Sequence, residues 1–382
     1  MHGEDVPQFR GSGGSGVSNE KNLPIQWSEQ DNIRWKATLP GRGLSNPVIA
    51  GGRVYVTANT GVEQKRLHVL CLDLKTGKQL WERQFWATGT TLCHPKTNMA
   101  APTPVTDGQR VYALFATGDL VCLDKDGDLV WYRSLVGDYP TIGNNVGMAA
   151  SPTLWKDTLI VPMENVGESF VAGIDVNTGA NRWRVDRPRG INWTTPVVIA
   201  NNGKAEVLLQ TPQLFSAHDP ATGKLLWKWA GDCGGAPSPV SGDGILFIAG
   251  GKFTALRTGA AKSEPQVLWQ NNKLATGYTS PVYYQGLVYT VSGRGIINCA
   301  EPATGKILWT ERAEGEFSAS PLAADGKIYI TSEAGTTTVL QAGGEAKVLS
   351  TNPLPETILA SPVAADGAIF LRSDKHLYCI GK

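Results

Sequence analysis

The chain has 382 residues, 41% of them apolar and 18% charged, enough for a large buried core. Lys plus Arg number 35 and Asp plus Glu 34, so there is no concentrated basic surface, and this excludes nucleic acid as a main partner. No run approaches the roughly 20 apolar residues a membrane-spanning helix needs, no apolar signal-type stretch follows Met1, and 44 Gly, 23 Pro and 12 Trp indicate many short strands joined by tight turns.

The opening run Gly11-Ser12-Gly13-Gly14-Ser15-Gly16 follows no strand and ends in no Lys-Ser/Thr pair. It is therefore predicted to be part of a flexible leader over residues 1–32 rather than a phosphate loop. A lone β-type run, Ile33-Arg34-Trp35-Lys36-Ala37, comes next. After it, one unit recurs eight times, each opening on a Ser/Thr-Pro-apolar element or a near match: Asn46-Pro47-Val48, Thr103-Pro104-Val105, Ser151-Pro152-Thr153, Thr195-Pro196-Val197, Ser238-Pro239-Val240, Ser280-Pro281-Val282, Ser320-Pro321-Leu322 and Ser361-Pro362-Val363. From Pro47 to Pro362 is 315 residues over seven intervals, a mean period of 45. That period suits propeller blades or helical pairs.

The local pattern decides for blades. Asp107-Gly108, Asp243-Gly244 and Asp325-Gly326 separate two short apolar runs, as a hairpin turn with positive φ requires. A third run, such as 67–72, leads to a fixed turn: Asp73 to Gly77, Asp175 to Gly179, Asp219 to Gly223 and Glu301 to Gly305. A fourth run ends in Trp81, Trp131, Trp183, Trp227, Trp269 or Trp309; the seventh unit, at Ala346-Lys347-Val348-Leu349, has none. The prediction is an all-β, eight-bladed β-propeller of four-stranded antiparallel blades, a single domain over residues 33–382. The last unit stops after its third strand, 377–380, so the 33–37 strand is expected to complete it and close the ring.

The string of strand, Asp-Gly, strand, Asp-x-x-Thr-Gly and Leu-Trp resembles the pyrroloquinoline-quinone-like (PQQ-like) repeat over residues 33–382. That family holds quinoprotein alcohol dehydrogenases and BamB-like scaffolds of outer-membrane assembly, so the resemblance carries fold further than function. The lead-in Pro7-Gln8-Phe9-Arg10-Gly11 is similar to that of exported bacterial propellers, which implies a periplasmic or secreted protein.

Trp35 and the six repeat tryptophans are expected to pack between blades. Cys71, Cys122, Cys299 and Cys379 share one third-strand position and read as small core residues. Cys93 and Cys233 lie in loops at blade junctions three apart, across much of the ring, which argues against a disulfide and leaves their pairing open.

Two adjacent inter-blade loops are long, 85–98 and 136–147, and loops of that length in a compact repeat point to function. The broadest and deepest pocket is expected on their face near the ring axis, while the opposite face has only short turns. His94, Lys96, Tyr139, Asn144, Asn145, Glu164 and Trp193 are the candidate ligand-binding residues; Trp193 stands two positions before Thr195-Pro196, where the chain enters an innermost strand. No Ser-His-Asp set, carboxylate pair or metal-ligand motif is present, and no catalytic residue, metal or cofactor is assigned. The leading expectation is a non-enzymatic scaffold binding a partner protein or an extracellular glycan. The alternative is an enzyme: a sugar-acting hydrolase or lyase using the His94 region, or a divergent quinoprotein. The latter would hold Ca2+ with oxygens from Glu164, Asn144 and Asn145, but the vicinal Cys-Cys pair of the alcohol dehydrogenases is missing.

Overall fold

The computed structural model describes residues 4–259 and 264–382. Eight sheets form the ring of a β-propeller. In the first blade the strands run Val48–Ala50, Arg53–Thr60, Arg66–Asp73 and Gln79–Trp86, from the axis outward. In the last blade Val363–Ala365, Ala368–Arg372 and His376–Ile380 are completed by Ile33–Thr38, with Ile33 opposite Ile380 and Thr38 opposite His376. Closure by the early strand is thus as expected.

Each outermost strand carries a bulge just before its repeat position, and that position faces one third-strand residue. Trp35 faces Cys379, Trp81 Cys71, Trp131 Cys122, Trp183 Gly173, Trp227 Ala217, Trp269 Ala255 and Trp309 Cys299. A small side chain there leaves room for the indole. In the blade without Trp, Ser350 faces the larger Val339, so the volume is exchanged across the pair. Most of these indoles also reach the next blade: Trp35 Nε1 donates to the Leu74 carbonyl (3.0 Å) and Trp183 Nε1 to that of Pro220 (3.0 Å). Gly77 is doubly required, because its φ is 67° and a β-carbon would press on the Trp35 ring.

All six cysteines are free, including Cys93 and Cys233. Burial pushes the thiols of Cys71, Cys122, Cys233, Cys299 and Cys379 up to about 12. Iodoacetamide at pH 8 should accordingly leave these five unmodified in the folded protein and alkylate all six in urea, as mass spectrometry would read. Rapid native alkylation of any of the five would contradict their packing.

Residues 4–32 depart from the flexible-leader expectation, for they lie across the ring on the face of the short hairpin turns. Val6 forms a bridge with Ile49 of the first blade. The Pro7 carbonyl accepts from Thr106 N (2.8 Å) and Gln8 Oε1 from Leu154 N (3.0 Å). Arg10 is buried and donates to the Pro281 carbonyl. Val17–Ser18 adds a fifth, parallel strand to the seventh blade, with Val17 beside Ala323. Leu23 and Trp27 then enter the core between the seventh and eighth blades, where the repeat tryptophan is missing.

A latch sits at that same junction. Glu356 accepts hydrogen bonds from Tyr378 Oη (2.5 Å), Ser373 Oγ, His376 Nδ1 (2.8 Å) and Lys36 Nζ (2.9 Å). Burial alone would raise its pKa, but these donors outweigh burial and hold it at about 2. A carboxylate depressed on folding stabilises the protein above its unfolded pKa of about 4.3 and loses that contribution as pH falls toward 2. Glu356→Gln should therefore flatten the acid limb of stability between about pH 5 and 2, as measured by urea unfolding; an unchanged limb would remove the latch from the account.

Candidate functional site

The eight Ser/Thr-Pro elements converge on the axis and bond to one another in a closed circle. Asn46 N donates to Thr103 Oγ1 (2.9 Å), Thr103 N to Ser151 Oγ (2.9 Å), Ser151 N to Thr195 Oγ1 (3.0 Å) and Thr195 N to Ser238 Oγ (3.0 Å). Ser238 N donates to Ser280 Oγ, Ser280 N to Ser320 Oγ and Ser320 N to Ser361 Oγ, each at 2.9 Å. Ser361 N closes the circle on Asn46 Oδ1 (3.0 Å). The proline after each member cannot donate, so the member's own amide makes the link to the next blade.

These eight side chains line an axial cavity of about 110 Å3 with Phe9, from the early segment, also in its wall. Strand alternation directs residues two apart to the same side. The residues two before each circle member therefore form a collar above it: Leu44, Ala101, Ala149, Trp193, Ala236, Tyr278, Ser318 and Leu359. The collar opens into a mouth of about 140 Å3 that also includes Lys96 and Thr97.

Three of the expected residues meet here. The Trp193 indole donates to the Gly147 carbonyl (2.9 Å) and stands 6.2 Å from the Tyr278 ring and 6.3 Å from His94. His94 is half-buried, and its Nδ1 accepts from Lys96 N (3.1 Å). Lys96 Nζ pairs with Glu333 (2.7 Å) and Glu316 (3.0 Å) and lies 5.7 Å over Tyr278. Burial would lower its pKa, yet the two carboxylates raise it, so the ammonium stays charged. Ser318 Oγ donates to Glu333 (2.5 Å), which ties the collar to this pair.

The other four are placed elsewhere. Tyr139 follows a single helical turn, Leu135–Asp138, and packs against Phe170 (4.7 Å) under the Arg184 guanidinium. Asn144 is buried within its own loop, donating to the Gly147 carbonyl (3.3 Å), and Asn145 beside it is exposed. Glu164 is buried between the third and fourth blades, paired with Arg187 Nε (2.8 Å) and bonded by Asn192. Burial raises its pKa, opposed by Arg187. It edges a separate hollow of about 360 Å3 with Pro188, Arg189 and Gln213. A hollow of about 910 Å3 lies on the opposite face against Lys21, Arg34 and Lys327, so the broader space is not at the axis as expected. The early segment supplies the wall that short turns alone lack.

Reading the same two-residue offset in every repeat, and not only at Trp193, finds Tyr278 and the rest of the collar. Glu316 and Glu333 had no such signal, since each reaches Lys96 from more than 200 residues away.

Pyrroloquinoline quinone, the group the fold family implies, would need Ca2+ held by convergent oxygens. Both Glu164 oxygens are bound by Arg187 and Asn192, and Asn144 turns to its own loop. Among the described residues no three His, Cys, Asp or Glu side chains gather as a metal set. These donors do not fit the quinone and its ion, and no step is derived through them.

Known proteins agree with the fold and divide on activity. Tetrathionate hydrolase of Acidithiobacillus ferrooxidans is 25% identical over 310 residues, 78% of this chain and 51% of that protein. Outer membrane protein assembly factor BamB of Alkalilimnicola ehrlichii is 29% identical over 221 residues, 56% of this chain and 51% of its own. The chain thus spans about half the length of these curated relatives. Among solved structures, BamB of Moraxella catarrhalis superposes with a TM-score of 0.67 at 16% identity, covering 91% of this chain and 96% of that one. Quinohemoprotein alcohol dehydrogenase of Comamonas testosteroni gives 0.72 at 14%, covering 98% and 80%. The profile of the family described as outer membrane protein assembly factor BamB matches residues 11–193 and 212–349, and the chain belongs to that family.

Proposed function

We propose that this protein is an exported, non-enzymatic scaffold that binds a partner protein on the face bearing its long loops, with the Trp193–Tyr278–Lys96 mouth at the centre. One observation carries the reading. Six exposed large apolar side chains stand on or beside the loops of that face: Val62 (87% exposed), Trp86 (66%), Leu92 (72%), Val166, Ile191 and Tyr278. Apolar surface of this kind marks protein contacts. It extends well beyond a mouth of about 140 Å3, which favours a protein over a glycan, although a sugar could stack on Trp193 and Tyr278. Export rests on the membership in a family named for outer membrane assembly.

Photo-crosslinking residues placed at Trp86 and Leu92 in living cells should trap one defined protein. The same probe at Val267 or Val348, exposed at the start of outer strands, should not. Lys96→Glu should weaken the adduct with the fold intact. Equal labelling from all four positions, or none, would overturn the reading.

A second reading, an enzyme, rests on the match to tetrathionate hydrolase, which covers 78% of this chain. It requires turnover of tetrathionate or another small substrate that Trp193→Ala abolishes.

A further inference from the structure

The circle of Ser/Thr-Pro elements has a hydrogen-bond account that does not close within the protein. Each of its eight side-chain oxygens accepts one amide from the neighbouring blade. Seven of those oxygens belong to hydroxyls, each with a proton still to donate. Among the described residues none of the seven donates to a protein acceptor. The eighth member, Asn46, is 3% exposed, and its Nδ2 has no partner among the described residues. Buried donors without acceptors are costly, and so many around one axis call for a shared one.

The cavity they line is about 110 Å3, several times the roughly 10–15 Å3 one water needs. Among the described residues no acidic side chain lines it. A positive charge lies next to it. Arg10 is 5% exposed, and among the described residues it has no carboxylate within pairing distance and no partner for Nε and Nη1. Its Nη2 donates to the carbonyl of Pro281 (2.5 Å), the residue after Ser280, and Arg10 and Ser361 line one small hollow. Burial pulls the guanidinium down to about 9, so it is still charged at neutral pH.

We propose that the axial cavity is a binding site for a small tetrahedral oxyanion of the sulfate type, held on the Asn46–Ser361 side of the hydroxyl circle with Arg10 as the nearby countercharge. Several converging neutral donors can each bond a different oxygen of such an ion, and a buried unpaired guanidinium supplies the field that favours it. The ion enters from the mouth, because the early segment crosses the opposite face. This site is separate from the apolar face proposed for a partner protein, and either can fail alone.

The test uses selenate as the probe with the full chain. Crystals grown with selenate should show one anomalous peak on the axis within reach of Asn46 and Ser361, and calorimetry should show one saturable site per chain. Asn46→Asp keeps the oxygen that accepts from Ser361 N and replaces the free donor with a negative charge. It should weaken selenate at least about tenfold while circular dichroism stays native. Arg10→Met removes the countercharge and should also weaken binding. Water alone on the axis, or selenate affinity indifferent to both substitutions, would overturn the proposal. The native-protein crystal decides even if a variant fails to fold.

Discussion

Removal of residues 1–38 is expected to abolish the cooperative fold. The deletion takes away the strand opposite His376–Ile380 and leaves the last blade with three strands. It also removes the buried Val6, Leu23, Trp27 and Trp35, and Lys36 from the Glu356 latch. Burial of each large apolar side chain is worth about 1.5–3 kcal/mol. With the lost ladder and the new sheet edges, the total is on the order of 10 kcal/mol, against about 5–15 kcal/mol for a whole domain. Circular dichroism should show no sharp thermal transition. Deleting residues 1–31 keeps the closing strand and should leave a folded but less stable ring. A 1–38 deletion that melts within a few degrees of the intact chain would mean that another element closes the propeller.

Glu164→Ala is expected to be the most damaging single substitution among the residues predicted to bind ligand, and its effect should fall on stability. It leaves Arg187, whose side chain is 2% exposed, without its carboxylate. Breaking a buried pair in this way costs about 3–5 kcal/mol. The loss should appear as a lower urea midpoint, and Glu164→Leu combined with Arg187→Met should recover most of it, since neither charge then remains unpaired. Partner adducts at Trp86 and Leu92 should be unchanged in the double variant. A Glu164→Ala protein of native stability would return that residue to the candidate site.

The blade pattern was legible in the sequence because it repeats. Pro47 to Pro362 set the count, the lone run at Trp35 set the closure, and Cys71, Cys122, Cys299 and Cys379 marked a small core position in the third strand. Trp193 was legible because its position is counted from a repeat element. Tyr139 and Glu164 stand away from the axial mouth for a physical reason. Loop length indicates which face a segment rises on, but distance from the axis depends on where each residue stands relative to the first strand. The path of residues 4–32 had no signal, since irregular backbone has no period and Arg10 meets a partner 271 residues away.

That path bears on the order in which the molecule can form. Residues 4–33 leave the ribosome before any blade, and Val6 to Gln8 find partners in the first three, yet from Arg10 onward the anchors come late: Arg10 needs Pro281, Trp27 needs Asn352, and Ile33 needs Ile380. Contacts so distant along the chain form slowly. The late anchors cannot form until most of the ring exists, so the stretch from Arg10 to Ile33 seats last, over blades already assembled. Interactions made after the folding barrier slow escape from the native state without speeding arrival. The early segment therefore acts on the lifetime of the folded ring, and the protein it secures is one that opens rarely once closed.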